Sequence, residues 1–362
     1  MNFFAVFMAF FSVLGAIDRI IGNRFGLGEQ FEKGFHLFGI SALSMIGMII
    51  LAPLLAQFMD PVLRLMGSLR LEPSILPATL FANDMGGAAL SYQVAADPAL
   101  GRFNALVVSS MMGVTISFTV PVALTMVKAE QHKNMLLGFL CGVITVPLGC
   151  FVGGLLMGIA PLTVLWDLLP LLVFSALICC CLLFWPTATV KVFQIFGTAI
   201  GVLITIGLAI GVVEFLTGLT PLKGLDTLEN GAAICLNASV VASGAFPFMH
   251  ILSKLLDKPL KWLGKAMGIN QVSALGFVST IATSVTTYGM MGVMDAKGVV
   301  LNSAFAISAA FTLAGHLAFT MAMDASAIAP MIAGKLFAGV LAVVLATFIY
   351  KRGERKQNAA NT

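Results

Sequence analysis

Charge is scarce in this chain: 10% of its 362 residues are charged, 59% are hydrophobic, and the mean hydropathy is +1.01. A water-soluble fold of this length has too little interior to hide that much apolar surface. The composition therefore excludes a soluble globular protein and leaves a polytopic membrane protein. No polar stretch is long enough for a separate soluble domain. The six cysteines, Cys141, Cys150, Cys179, Cys180, Cys181 and Cys235, all fall inside apolar runs without metal-ligand spacing. That argues against a disulfide framework or a metal site and for inert packing. There is no Gly-x-Ser-x-Gly elbow, no set of paired Cys or His ligands and no phosphate-binding glycine loop, so catalysis is the least supported class and no cofactor is implied. The net charge of +4 comes from basic residues spread over short loops and the C-terminal end. Such a spread points to membrane orientation and a lipid partner rather than to nucleic acid.

What the chain has in abundance is long apolar runs, at residues 3–17, 37–58, 105–127, 135–157, 164–185, 192–216, 232–252, 299–321 and 328–349. The first lacks a basic flank and a small-residue cleavage site, and is expected to be a retained span rather than a secretory signal. Two further segments, residues 74–92 and 272–293, are apolar but interrupted by small polar residues. Unwound backbone at membrane depth survives only where it lines a cavity, so such interruptions are the best sequence pointer to a transporter's binding site. The halves also echo one another at an offset of roughly 190–199 residues: Phe31-Glu32-Lys33-Gly34 matches Leu228-Glu229-Asn230-Gly231, and the interrupted segments follow in the same order.

If both interrupted segments are re-entrant, then of 20 lysines and arginines the outer side holds Arg64, Arg70, Arg102 and Lys223, Lys335 lies within a span, and the rest are cytosolic. If both cross, the basic residues divide almost evenly, which the positive-inside rule disfavours. The expected architecture is an all-α polytopic membrane protein with about nine transmembrane helices and two re-entrant hairpins, built as an inverted-repeat transporter. Residues 1–160 form the first repeat with the hairpin at 74–92, and residues 161–189 a linker helix. Residues 190–350 form the second repeat with the hairpin at 272–293, and residues 351–362 a cytosolic tail. The N-terminus is outside, the C-terminus is cytosolic, and a homo-oligomer is compatible with the sequence.

Asp84 is the sharpest chemical signal, an acid beside Asn83 and before Gly86 and Gly87 at the first interruption. An intramembrane carboxylate costs several kcal/mol unless paired, which suits it to a small cation; a half-helix cap or an internal ion pair is the competing reading. Thr283 and Ser284 bring hydroxyls without charge to the second interruption, fit for a substrate hydroxyl or for capping frayed helix ends. Phe81, Tyr92 and Tyr288 flank the interruptions, where an aromatic face suits an ammonium, although packing explains each of them as well. His316 and Lys335 lie within spans: the histidine as a proton relay, hydroxyl partner or core residue, the lysine as a partner for helix-end carbonyls or for an acid such as Asp84. Gly86, Gly87 and Lys335 are expected to be structural or gating residues. Asp167 and Glu214 are expected to snorkel to the interface.

At Gln30-Phe31-Glu32-Lys33-Gly34-Phe35, Asn83-Asp84-Met85-Gly86-Gly87, Ser110-Met111-Met112-Gly113-Val114-Thr115-Ile116, Thr145-Val146-Pro147-Leu148-Gly149-Cys150 and Pro330-Met331-Ile332-Ala333-Gly334-Lys335, the chain resembles the ethanolamine utilization permease family, EutH. The similarity runs from end to end and departs from the family's pattern at Thr283, Ser284 and Gly315. The resemblance implies a bacterial inner-membrane permease for ethanolamine, with the substrate's ammonium at Asp84 and its hydroxyl at Asn83, Thr283, Ser284 or His316. The alternatives are a gated channel or sensor for small amines, or a permease for a related amino alcohol.

Overall fold

The computed structural model describes residues 3–220 and 222–360, and the described residues form helices and connecting turns without a strand. In chain order the helices are α1 (Phe3–Ile20), α2 (Leu27–Ser68), α3 (Ile75–Leu80), α4 (Gly87–Val94), α5 (Pro98–Met126), α6 (Ala129–Leu156), α7 (Pro161–Asp167) and α8 (Leu169–Phe184). There follow α9 (Pro186–Thr217), α10 (Leu228–Met267), α11 (Gln271–Ala282), α12 (Ser284–Met290), α13 (Ala296–Ala309), α14 (Gly315–Met323) and α15 (Ile328–Ala360). Helices α1, α2, α5, α6, α9, α10 and α15 account for seven spans of membrane-crossing length and apolarity, and α7 with α8, bent by 46° at their junction, make an eighth. The chain is thus a multi-pass helical membrane protein. Residues 299–321, expected as a ninth straight span, are instead α13 and α14, parted at residues 310–314 where Phe311 takes a left-handed φ of 62°. The expected tail continues α15 as helix through Ala360; residues 361 and 362 lie outside the described residues.

Local chemistry sets the corners. The buried Asp18 carboxylate accepts the backbone N–H groups of Phe25, Leu27 and Gly28 at 3.0, 2.7 and 3.0 Å, satisfying donors at the start of α2 that no helix turn can reach. Asp97 accepts from the N–H groups of Ala99 and Leu100 ahead of α5, and Asp295 from Gly298 ahead of α13.

Helix α6 sits at the centre, against α13 on one face and α15 on the other. Its glycines permit the approach: a Cβ added to Gly138 would lie 2.3 Å from the Val300 carbonyl oxygen, and one on Gly149 would lie 2.5 Å from that of Gly334. Gly207 on α9 closes on the Gly47 carbonyl in the same way, at 2.1 Å, whereas Gly201 has no neighbour within 4 Å. Phe10, Val202 and Val344 on α1, α9 and α15 are 58%, 55% and 61% exposed, apolar side chains directed at the surrounding lipid.

Both interrupted segments fold back. Ser91 Oγ donates to the Ser74 carbonyl at 3.0 Å across 17 residues, whereas a continuous helix would part the two by about 25 Å. In the second hairpin Thr287 Oγ1 donates to the Gly276 carbonyl at 3.1 Å. The hairpin bases are clamped by similar means. Glu72 accepts the N–H groups of Ala96 and Asp97, and Asn104 Nδ2 donates to Ser74 Oγ. Asp295 accepts from Asn270 N–H and Ser273 Oγ, and Asn302 Nδ2 donates to the Ser273 carbonyl. Asp97 and Asn104 are spaced in the chain as Asp295 and Asn302 are.

Candidate functional site

The first hairpin turns through an extended Phe81 and Ala82, a single 3-10 turn at Asn83–Met85 and a left-handed Gly86 with φ 99°. Three glycines make this path passable. A Cβ would fall 1.9 Å from Met48 Cγ if added to Gly86, and 2.1 Å and 1.9 Å from the Phe81 carbonyl oxygen if added to Gly87 and Gly113. The Ala82 N–H donates to Ser117 Oγ at 3.0 Å. Ser117 and Gly113 belong to α5, which is wound as π-helix over Asn104–Gly113 and Thr115–Thr119, a widening often found at functional sites. The polar break of the hairpin therefore rests on a distorted span.

Asp84 borders a small cavity of about 10 Å³ with Asn83, Met45, Ile49 and Phe319, room for about one water. Its carboxylate forms no ion pair with any described residue. Asn83, 1% exposed, accepts the Asp84 N–H with Oδ1 at 3.0 Å, while its Nδ2 has no partner among the described residues. A buried amide donor beside an unpaired carboxylate has the chemistry to satisfy a group that carries both a positive charge and a hydrogen-bond acceptor.

Lys335 on α15 is fully buried, and its Nζ donates to the Ser110 carbonyl of α5 and to His316 Nδ1, the latter at 3.0 Å. An Nδ1 that accepts leaves the imidazole proton on Nε2. His316, 1% exposed, opens α14 just beyond the 310–314 break, its ring 5.4 Å from that of Phe311. The lysine takes a carbonyl and an imidazole rather than the carboxylate of Asp84. A closed ion pair would have occupied Asp84.

The second break is a single residue, Thr283, extended at φ −159°, whose Oγ1 accepts the Val285 N–H at 3.3 Å as a cap. The helix end before it is satisfied by the third break, since the N–H groups of Phe311 and Leu313 donate to the carbonyls of Thr280 and Ile281, each at 3.1 Å. Thr283 opens on a different cavity from Asp84, one of about 550 Å³ lined also by Gln30, His36, His250 and Thr286. Ser284 and Tyr288 are buried, at 0% and 1% exposure, with hydroxyls that lack a partner among the described residues. Tyr288 packs in the apolar core, and Phe81 packs on Phe196 at 5.8 Å between ring centroids. The structure thus gathers Asn83 and Asp84 against α14, joins His316 to Lys335, and keeps the hydroxyls of the second break apart from the acid.

Several contributors escaped the sequence. Asp167 is 2% exposed and accepts from Asn104 Nδ2 at 3.3 Å, so it does not snorkel; a donor that already clamps the first hairpin holds it inside. The Ser110 carbonyl and the turn at Phe311 lie within runs that read as plain apolar spans. The shared spacing of Asp97 and Asn104 with Asp295 and Asn302 was the available signal for the clamps.

The family described as "Ethanolamine utilisation protein, EutH" matches residues 2–349. The chain belongs to the EutH family. A relative from Listeria monocytogenes named "Probable ethanolamine permease EutH" is 43% identical over 353 residues, covering 97% of this chain and 95% of the relative. The protein of that name from Salmonella typhimurium is 36% identical over 392 residues with the same coverage. YxeR of Bacillus subtilis, described as uncharacterized, is 37% identical over 351 residues, again 97% and 95%. No solved structure matches the chain. EutH membership and the helical fold agree on a multi-pass membrane protein.

Proposed function

We propose that this EutH-family chain is a bacterial inner-membrane permease, not an enzyme, that takes up ethanolamine as ethanolammonium by alternating access. The observation that carries the reading is the partly buried Asp84 carboxylate, left without a cation while the neighbouring lysine is satisfied elsewhere. Ethanolamine's amine, like that of lysine, is mostly protonated at neutral pH. A primary ammonium entering this space exchanges its water shell for the carboxylate, and the substrate hydroxyl accepts from Asn83 Nδ2. The His316–Lys335 pair holds α5, α14 and α15 together beside the site. The names of the relatives and the similar clamps of the two hairpins support the same view.

In this reading residues 1–160 and 190–350 are inverted repeats joined by a linker helix at 161–189, with the N-terminus outside and residues 351–362 in the cytosol. The cavity at Asp84 is smaller than ethanolamine, which makes this a closed state that must widen to load. Thr283 and Thr286 belong to the opposite cavity and meet the substrate when access switches sides. Uptake of labelled ethanolamine into liposomes bearing the purified protein tests the proposal. The permease saturates, exchanges labelled for unlabelled substrate, and is competed by primary amino alcohols. Flux without saturation or counterflow would indicate a channel, and binding without flux a sensor.

A further inference from the structure

A second, larger cavity of about 500 Å³ is lined by Tyr92, Arg102, Asp226, Asp324, Ile49 and Met323, among others. Four residues, Ile49, Ala89, Ile234 and Met323, line both this cavity and the small one at Asp84. They form an apolar partition between an open vestibule and the acid. One end of the partition is the C-terminus of α14, whose Phe319 and Met323 face Asp84's cavity and whose next residue, Asp324, faces the vestibule.

Helix α14 is a short unit between two breaks. It is nine residues long, and both flanks leave helical geometry: the 310–314 turn on one side, with Ala314 at φ −130° and ψ −99°, and Asp324 at φ −157° and ψ 101° on the other. Its apolar side chains pack on α10, and the tie from its far end to α5 is an ion pair. Arg102 Nη1 lies 3.3 Å from Asp324 Oδ2, while the other described ion pairs join residues close in sequence. The hold is slight: the arginine makes one contact, its side chain is 38% exposed, and its Nε is buried without a partner. Partly exposed, monodentate pairs of this kind contribute little to stability. The aspartate, by contrast, is anchored independently, Oδ1 accepting from Ser326 N–H at 2.9 Å and Ser326 Oγ at 2.7 Å. That anchor lies within one local turn, so the carboxylate keeps its orientation, with Oδ2 free to take another cation, as the turn moves with the end of α14.

Resting on the permease reading, we propose that Arg102 and Asp324 are the latch of the gate through which the cation enters. A primary ammonium in the vestibule replaces Arg102 at Asp324 Oδ2, and the freed end of α14 carries Phe319 and Met323 away from Asp84. A compact ammonium with rotatable donors competes well for one carboxylate oxygen against a guanidinium that engages it through a single nitrogen. Anions gain nothing from this exchange, so the latch also selects for charge.

The test uses full-length protein in liposomes and initial rates of labelled ethanolamine uptake. Because Arg102 competes with the substrate, Arg102→Gln lowers the apparent KM, by about threefold or more. Asp324→Asn removes the docking oxygen and raises it by about tenfold with the maximal rate kept, as expected for lost charge-assisted binding. A bridge that only braces the fold would shift both variants the same way, and that result would overturn the proposal. A second readout needs no transport: Met45→Cys, which lines the cavity at Asp84 and not the vestibule, is labelled with a cationic methanethiosulfonate and followed by peptide mass, which separates it from the native cysteines. Arg102→Gln accelerates this labelling several-fold, and an unchanged rate rejects the latch. If labelling accelerates but ethanolamine is not transported, the substrate assignment fails and the gate stands.

Discussion

At their bases the two hairpins are held by the same kinds of group, an acid that receives backbone donors and an asparagine on the following helix that donates to a serine. At their tips they differ. The first turns over three glycine-dependent contacts beside a carboxylate and a buried, unpartnered amide, whereas the second spends a single extended threonine, pairs Thr280 Oγ1 with Thr287 Oγ1 at 2.9 Å, and leaves only the uncharged Ser284 and Tyr288 hydroxyls without a partner among the described residues. Closed hydroxyl pairs stiffen a hairpin, whereas an unpaired acid beside an orphan donor is costly at membrane depth. On the proposed reading, the first hairpin binds and the second supports.

Exchanging the chemistry of each tip gives the largest expected contrast. Asp84→Asn lowers ethanolamine uptake by about a hundredfold or more, since the buried ammonium loses its only proposed counter-ion, while Thr283→Val lowers it by no more than about threefold. Equal losses in the proteoliposome assay would dissolve the distinction. The glycines come next. Gly113→Ala sets a methyl 1.9 Å from the Phe81 carbonyl oxygen. Overpacking of that kind costs about 1–3 kcal/mol, read as a lower thermal midpoint in detergent. Gly289→Ala in the second hairpin finds its nearest neighbour at 3.9 Å, and so changes stability by no more than about 0.5 kcal/mol.

The clamps test the likeness rather than the difference. Asn104→Leu and Asn302→Leu each strand buried acceptors and cost about 1–3 kcal/mol in the same melting assay. Asn104→Leu costs more of the two, because it also leaves Asp167 buried without that donor. Thr287→Val removes both the hydroxyl pair with Thr280 and the bond to the Gly276 carbonyl, and costs about 0.6 kcal/mol for each, with about 1.7 as the ceiling for either.

Much of this was legible from the chain. Small polar residues inside apolar runs marked both hairpins, and the intramembrane charges of Asp84, His316 and Lys335 stood out because such residues are costly there. The grouping was not legible. Which acid meets which base depends on packing between distant helices, and Lys335 found a carbonyl of a π-wound segment whose residues, Val107 to Met112 among them, read as any other apolar span. The break at residues 310–314 carries no proline, and its one flanking glycine, Gly315, already lies in α14; the carbonyls ending α11 take their donors from this turn, a tertiary pairing that the local sequence does not spell out. Asp167 read as interfacial because its buried donor lies far away in sequence.

The most direct trial of the central claim is equilibrium binding of labelled ethanolamine to the purified protein in detergent, wild type beside Asp84→Asn, with both shown monodisperse and equally heat-stable. The account predicts saturable binding by the wild type and none measurable by the variant. Undiminished affinity in Asp84→Asn would place the ammonium elsewhere and contradict it.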